Sequence, residues 1–246
     1  MTQGRIRSEL IHGTKAGYAA TARGAGRGLD RLGLLPSRPP ARAHRLRHWM
    51  YSLTCAHDSL ALAGLDVPWW TYRSIDAVEA WLVDRPRPIR VFEYGSGAST
   101  LWLAKRADEV HTVEHDPGFA ALVGERISAA GNVTMDVVPA VPTRDPVVPS
   151  AREGFAGLDF EAYVAAIEGH GEFDLVVIDG RAREACLAKA MPHLRTDGLV
   201  VFDNSARRRY RPAITAAPVT ETRLWGLTPT LPYPDQTSLL RPSQPR

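Results

Sequence analysis

Cysteine, lysine and long apolar runs are all scarce in this 246-residue chain. Its two cysteines, Cys55 and Cys186, are too few for a disulfide framework and lack the spacing of a metal site, so we expect a reducing, cytoplasmic setting. No apolar run approaches the roughly 20 residues that cross a bilayer, and the first residues lack the apolar core of a secretory signal. These absences argue against a membrane span and against a secreted disulfide scaffold.

Positive charge is concentrated at one end of the chain. Residues 1–50 hold ten Lys or Arg and two acids, a net of +8, and the rest hold twenty and twenty-five, a net of −5, which gives the total of +3. Residues 1–45 also contain Gly-rich and Pro-rich stretches that cannot pack a core, apart from a short helix around Ile6–Tyr18. We therefore expect residues 1–45 to be a basic, flexible segment, either solvated or attractive to nucleic acid and anionic lipid.

Strands and helices are predicted to alternate after two N-terminal helices, one over His44–Ala63 and one that begins with Ser74 as its N-cap. In chain order, the predicted strands are Ile89–Tyr94, Val110–Glu114, Val133–Val138, Asp174–Ile178 and Leu199–Phe202. The helices between them are predicted at Ser99–Lys105, Gly118–Ala130, Phe160–Ile167 and Arg183–Met191. Apolar strands separated by helices indicate a parallel sheet that is covered on both faces.

The C-terminal part follows a different pattern. Two last strands, Val219–Trp225 and Thr237–Leu240, are joined by a proline-bearing loop that is too short for a parallel crossover, so they must be antiparallel. The predicted fold class is therefore α/β, with a doubly wound, mostly parallel seven-stranded sheet, an antiparallel C-terminal strand pair, and helices on both faces.

A glycine-rich turn joins the first predicted strand to the next helix. Gly95 and Gly97 let the backbone approach a ligand closely, but Thr100 stands where a dinucleotide-binding loop has its third glycine. Glu93 precedes the glycines, and a carboxylate there suits a cationic ligand such as S-adenosylmethionine better than a pyrophosphate. Glu114 ends the second strand, where an acid accepts hydrogen bonds from ribose hydroxyls.

These segments resemble the motifs of the class I, S-adenosylmethionine-dependent methyltransferases. Phe92–Thr100 is similar to the first motif of that family and Val113–Asp116 to its second, within a likeness that runs from about Pro68 to the C-terminus. The resemblance implies that Glu93 and the loop backbone hold the methionine end of the cofactor, and that Glu114 takes the ribose. The cofactor-binding residues expected from the loop, the second acid and the preceding segment are Tyr72, Glu93, Gly95, Ser96, Gly97, Ser99, Thr100, Glu114 and His115.

The resemblance also implies a lid before the first strand. The segment Pro68–Tyr72 looks like a lid element that closes over the methionine end of the cofactor, with Tyr72 as the contact. The alternative is that Trp69 and Trp70 simply pack in the core. On this interpretation residues 46–246 form one methyltransferase domain, which includes an N-terminal helical lid over residues 46–88.

Polar residues at the ends of the fourth and fifth strands suggest a metal site. Asp179, Asp203 and Asn204 would meet at one edge of the sheet, and hard oxygen ligands suit Mg²⁺. The arrangement resembles the metal-dependent O-methyltransferases of the catechol type. This chain departs from that pattern because Arg181–Glu184 holds no lysine to act as base. Alternatively, Asp179 lines the active site without a metal, and Asp203-Asn204 caps a turn.

The expected function is transfer of a methyl group from S-adenosylmethionine to an oxygen of a small molecule, with Asp179 as base or metal ligand. Arg207–Arg211 would hold an anionic acceptor or would be a solvated face. Three alternatives remain open: a nucleic-acid methyltransferase using the basic arm, a non-catalytic binding module, and a dehydrogenase. The lack of an Asn/Asp-Pro-Pro-aromatic motif and of a basic patch interleaved with aromatics argues against nucleic acid as the acceptor.

Overall fold

The computed structural model describes residues 38–55 and 58–243. The helix predicted at 6–18 and most of the predicted flexible segment lie outside the described residues. At the end of that segment, Arg42 and Arg45 form ion pairs with Asp76, and Arg42 also with Glu79. The packed part of the chain therefore begins before residue 46.

Eight helices are present in the described part of the chain. They are α1 (Arg45–Ser52), α2 (Ser59–Gly64), α3 (Tyr72–Val83), α4 (Ala98–Ala104), α5 (Pro117–Ser128), α6 (Glu161–Ala165), α7 (Arg183–Ala190) and α8 (Arg211–Ala216). Short 3₁₀ turns lie at Leu53–Cys55, Met191–His193 and Arg208–Tyr210. No helix of residues 38–55 and 58–243 is long and apolar enough to cross a membrane.

The strands form one large sheet and one small hairpin. They are β1 (Arg90–Tyr94), β2 (Glu109–Glu114), β3 (Val133–Val137), β4 (Val141–Pro142), β5 (Leu158–Asp159), β6 (Phe173–Ile178), β7 (Leu194–Phe202), β8 (Val219–Gly226) and β9 (Asp235–Pro242). The seven-stranded sheet has the order β3-β2-β1-β6-β7-β9-β8. All neighbours pair in parallel up to β7, and β9 is antiparallel to both β7 and β8. The predicted fold class is confirmed.

Several boundaries differ from the prediction. The single helix expected over His44–Ala63 is divided into α1, a 3₁₀ turn and α2, which has its own N-cap at Asp58. The N-cap of α3 is Thr71, whose hydroxyl accepts from the backbone N–H of Ser74, so Ser74 lies inside the helix. An N-cap side-chain oxygen accepts from a backbone N–H two or three residues later. Thr71 and Ser74 both carry a suitable hydroxyl, so the sequence alone could not decide which of them caps the helix.

The core lies on both faces of the sheet, as alternation along the strands requires. Phe92 and Tyr94 of β1 belong to the cluster under α6 and α7, whereas Val91 belongs to the cluster under α3 and α4. β6 is buried along its whole length. A sheet covered on both faces leaves its carboxyl edge open to a ligand. A ligand-binding crevice is expected at the carboxyl end of β1, because β2 and β3 follow on one side of this strand and β6 and β7 on the other.

Candidate cofactor and acceptor site

The loop after β1 is in backbone contact with the loop after β6. Gly95 has a φ of 98°, and a Cβ on it would lie 2.8 Å from Cα of Gly180. The backbone N–H of Asp179 also donates to the carbonyl of Tyr94 at 3.0 Å. Glycine is required at position 95 by both the positive φ and the close approach, and this contact brings Asp179 next to the glycine loop.

Glu93 supports the glycine loop from behind. Its side chain is completely buried, and its Oε2 accepts from the hydroxyls of Thr100 and Thr112, the latter at 3.2 Å. The Thr100 hydroxyl in turn accepts from the backbone N–H of Gly97 at 2.9 Å. Burial raises the pKa of Glu93 to about 7. Both side chains face the protein interior, and contact of Glu93 and Thr100 with the cofactor stays a prediction.

Glu114 is fixed at the end of β2 by backbone donors. Its Oε2 accepts from the N–H of Ser96 at 3.1 Å, and its Oε1 accepts from the N–H groups of His115 and Asp116, each at 2.8 Å. Glu114 is 4% exposed and lines the main cavity. Three N–H donors fix the orientation of the carboxylate before any ligand binds.

The cavity at the carboxyl edge of the sheet has a volume of about 550 Å³. Its lining includes nine of the site residues predicted from the sequence, namely Gly95, Ser96, Gly97, Ser99, Glu114, His115, Asp179, Asp203 and Asn204. Three predicted residues, Tyr72, Glu93 and Thr100, are not part of its lining.

The segment before α3 contributes a different aromatic residue from the one predicted. Tyr72 is buried away from the cavity, with its hydroxyl 2.7 Å from Nδ1 of His48 and the Arg45 guanidinium over its ring. Trp70 is fully buried in the core, and Trp69 lines the cavity. The sequence placed the right segment at the site but could not show which aromatic side chain turns towards it.

An arginine lies between the two acids at the ends of β6 and β7. Nη2 of Arg183 donates to Oδ1 and to the carbonyl of Asp179, both at 2.7 Å. Its Nη1 donates to the carbonyl of Asp203 and lies 3.9 Å from Oδ2 of that residue. Burial raises the pKa of both carboxyl groups, and the charge of Arg183 opposes that shift. The guanidinium therefore holds the two strand ends together.

The predicted metal site does not fit this arrangement. The guanidinium of Arg183 already supplies the positive charge that Asp179 and Asp203 share. The Asn204 side chain is bound to another residue of the cavity wall, since its Nδ2 donates to Asp235 at 2.9 Å. Within residues 38–55 and 58–243, no group of three or more His, Cys, Asp or Glu side chains is placed to hold a metal ion. The Mg²⁺ prediction assumed that the acids would be free to coordinate, which the sequence could not test.

Several residues of the cavity were not predicted. They come from the lid segment, from the loop between β4 and β5, from the turn after β6, and from the loop between β8 and β9: Ser59, Trp69, Arg152, Arg181, Arg183, Thr230, Leu231, Pro232, Tyr233 and Asp235. The β8–β9 loop carries no motif, so only its position in the fold brings it over the cavity. It is held there by α1, because the Trp49 indole donates to Leu231 and the Thr230 N–H donates to Ser52, both at 2.9 Å.

Comparison with known protein families shows which kind of domain contains this cavity. A family model described as a methyltransferase domain matches residues 92–205, from β1 through the turn after β7. Residues 92–205 therefore form a methyltransferase domain. The matched region contains the glycine loop, Glu114, Asp179 and Asp203. No curated protein matches the sequence.

Solved structures with a similar fold include methyltransferases that act on different atoms. A precorrin-6y C5,15-methyltransferase from Geobacter metallireducens GS-15 has 12% identity and a TM-score of 0.49, covering 69% of this chain and 88% of its own. The N-methyltransferase NodS from Bradyrhizobium japonicum WM9 has 12% identity and a TM-score of 0.46, with 70% and 96% covered. An O-methyltransferase from Thermotoga maritima has 14% identity and a TM-score of 0.47, with 79% and 72% covered. At such low similarity they assign no acceptor to this methyltransferase.

Proposed function

We propose that this methyltransferase transfers a methyl group from S-adenosylmethionine to a hydroxyl group of a small molecule, with Asp179 as the base. The observation that carries the proposal is the placement of Glu114 and Asp179 on the walls of one cavity. Glu114 ends β2, Asp179 follows β6, and the contact between Gly95 and Gly180 lies between them. Glu114 can therefore bind the cofactor while Asp179 acts on the acceptor.

The residues on the cofactor side are fixed before binding. Three backbone N–H donors orient Glu114, and the remaining lone pair on Oε2 suits a ribose hydroxyl. Glu93, through Thr100, fixes the N–H of Gly97. A rigid loop lowers the entropy cost of positioning the methyl donor.

Proton removal is the main chemical task of the chain, because bound S-adenosylmethionine supplies an activated methyl group for in-line displacement. A neutral hydroxyl is a poor nucleophile until it loses its proton, so an acceptor oxygen requires a base close to the reacting atoms. Asp179 lines the cavity, its side chain is 18% exposed, and burial raises the pKa of its carboxyl group. A raised pKa makes Asp179 a stronger base than an ordinary aspartate.

The size and cover of the cavity favour a small acceptor. Its volume of about 550 Å³ falls in the range of small-molecule sites. The β8–β9 loop, through Thr230 and Tyr233, forms part of its wall and is tied to α1. A polymer would need an open groove rather than a cavity bounded by this loop.

The substrate class can be tested with S-adenosylmethionine carrying a tritiated methyl group. The protein is incubated with extract that has been separated into small molecules, nucleic acid and protein. We expect label in the small-molecule fraction, in products with a new O-methyl group. Label confined to nucleic acid or protein, or only on nitrogen, would contradict the proposal.

The role of Asp179 can be tested with Asp179→Asn, which keeps the shape and removes the base. With the labelled acceptor, we expect the turnover number to fall by about 10²- to 10⁴-fold, while the affinity for S-adenosylhomocysteine is retained. Asp136→Asn changes an exposed aspartate on β3 and is the matched control. Unchanged turnover in Asp179→Asn would refute its assignment as base.

A further inference from the structure

Three arginines of the cavity wall have no acidic partner. Arg152, Arg181 and Arg207 line the cavity, and none of them forms an ion pair with a carboxylate in the described part of the chain. The fourth arginine of the wall, Arg183, is paired with Asp179 and Asp203. Outside the cavity, Arg211 is paired with Glu221. Three guanidinium groups without an ion pair in the described part of the chain therefore line this one cavity.

Two of these guanidinium groups converge on a single aromatic ring. Those of Arg181 and Arg152 lie 4.7 Å and 5.8 Å from the ring centroid of Phe155. Both side chains are partly buried, and Nε of Arg181 is buried with no hydrogen-bond partner among the residues that the structure describes. A buried donor without a partner costs free energy, and a ligand acceptor would remove that cost.

The arginines also destabilise each other's charge. Burial, followed by the charges of Arg152 and Arg183, lowers the pKa of Arg181 to about 10. Burial, followed by the charges of Arg207 and Arg183, lowers the pKa of Arg152. Like charges gathered in a partly desolvated place are unfavourable unless an anion joins them.

Two of the three arginines follow the strand ends that carry the acid pair. Arg181 comes two residues after Asp179 at the end of β6, and Arg207 comes four residues after Asp203 at the end of β7. The backbone N–H of Arg207 donates to the carbonyl of Asn204, which fixes this turn next to the acid pair. The proposed ribose ligand, Glu114, ends β2 on the other side of β1. The Phe155 ring lies 5.8 Å from the ring of its neighbour His115, so the cluster also adjoins the cofactor side.

We propose that Arg152, Arg181 and Arg207 form an anion subsite that binds a carboxylate or phosphate group of the acceptor. The inference rests on the proposed function, because it assumes that the acceptor lies beside Asp179. Guanidinium groups bind such anions through charge-assisted, bidentate hydrogen bonds. An acceptor held by its anionic group would be oriented with its hydroxyl towards Asp179.

Inorganic phosphate is the probe for this subsite, titrated by calorimetry into the protein saturated with S-adenosylhomocysteine at constant ionic strength. Saturation fills the cofactor site, including the place of the cofactor carboxylate, so phosphate then reports a separate site. We expect binding in the wild type and an affinity lowered by about 10- to 100-fold in Arg152→Gln and in Arg181→Gln. Arg208 follows Arg207 in the sequence, is exposed and does not line the cavity. The control variant Arg208→Gln should therefore bind phosphate like the wild type.

A second comparison separates the acceptor from the cofactor as the source of the anion. S-Adenosylhomocysteine carries a carboxylate and 5′-methylthioadenosine does not. We expect Arg152→Gln and Arg181→Gln to change the affinity for both compounds equally. A selective loss of S-adenosylhomocysteine affinity would show that the arginines hold the cofactor carboxylate, and would overturn the subsite.

The failure of this inference can be distinguished from failure of the proposed function. If S-adenosylhomocysteine binds but phosphate does not, the anion subsite is refuted and the cofactor assignment stands. If S-adenosylhomocysteine itself does not bind, the proposed function is contradicted. Phosphate titrated into the free protein and the same variants would then test the arginine cluster alone, and equal binding by wild type and both variants would overturn it.

Discussion

The buried carboxyl group of Glu93 should give the protein a specific pH dependence of stability, which Glu93→Gln would remove. Glu93 is completely buried, its Oε2 accepts from Thr100 and Thr112, and its Oε1 has no hydrogen-bond partner within residues 38–55 and 58–243. Burial raises the pKa of this carboxyl group from 4.5 to about 7. Glutamine has the same shape and does not titrate, so the variant isolates the cost of ionisation.

The magnitude follows from the difference in pKa between the folded and unfolded states. A shift from 4.5 to about 7 corresponds to about 3 kcal/mol, since each unit is worth about 1.4 kcal/mol. Below pH 4.5 the group is protonated in both states. Between the two pKa values only the folded state keeps the proton, so the wild type loses stability as the pH rises towards 7. The free energy of unfolding of Glu93→Gln, relative to wild type, should therefore rise by about 3 kcal/mol from pH 4.5 to pH 8.

Guanidinium denaturation followed by circular dichroism, at several pH values for both proteins, measures this difference. Other titrating groups, including Asp179 and Asp203, cancel because they are present in both proteins. Glu125→Gln, at an exposed position of α5, should show no such pH-dependent difference. A constant difference between Glu93→Gln and wild type over the whole range would show that Glu93 is charged when folded, and would refute the argument.

Two further perturbations test the loop contact and the acid pair. Gly95→Ala would place a Cβ 2.8 Å from Cα of Gly180 at a φ of 98°; we expect a loss of about 3 kcal/mol or more in unfolding free energy, and a loss below about 1 kcal/mol would refute the close approach. Because Arg183 occupies the place between Asp179 and Asp203, millimolar Mg²⁺ should not raise the melting temperature, and a chelator should not lower methyl transfer. Loss of activity on chelation, restored by Mg²⁺, would contradict this arrangement.

The fold followed from the sequence because its signals are local and repeated. Apolar strands such as Asp174–Ile178 and the short link between the last two strands were enough to predict a parallel sheet with an antiparallel end. The cofactor side was also largely accessible, since Gly95 and Glu114 occupy fixed places relative to strand ends. A strand end fixes where a residue lies but not which way each side chain turns, and this is why Glu93 was expected in the cavity and lies behind it.

The acceptor side was less accessible to sequence analysis because it is assembled from distant segments. Arg152 comes from the loop between β4 and β5, and Tyr233 from the loop between β8 and β9; neither loop carries a motif. The acids Asp179 and Asp203 were correctly expected at one edge of the sheet. Their partner was not expected, because the pairing of Arg183 with both depends on the rotation of α7 and on the spacing of β6 and β7.

Calorimetric titration of S-adenosylhomocysteine into wild type and Glu114→Gln tests directly whether Glu114 and the glycine loop form the S-adenosylmethionine site. We expect one site in the wild type and an affinity lowered by about 10- to 100-fold in the variant, the loss of one or two charge-assisted hydrogen bonds. Glu125→Gln should bind like the wild type. Equal affinity in Glu114→Gln and wild type, with both proteins folded, would contradict the assignment.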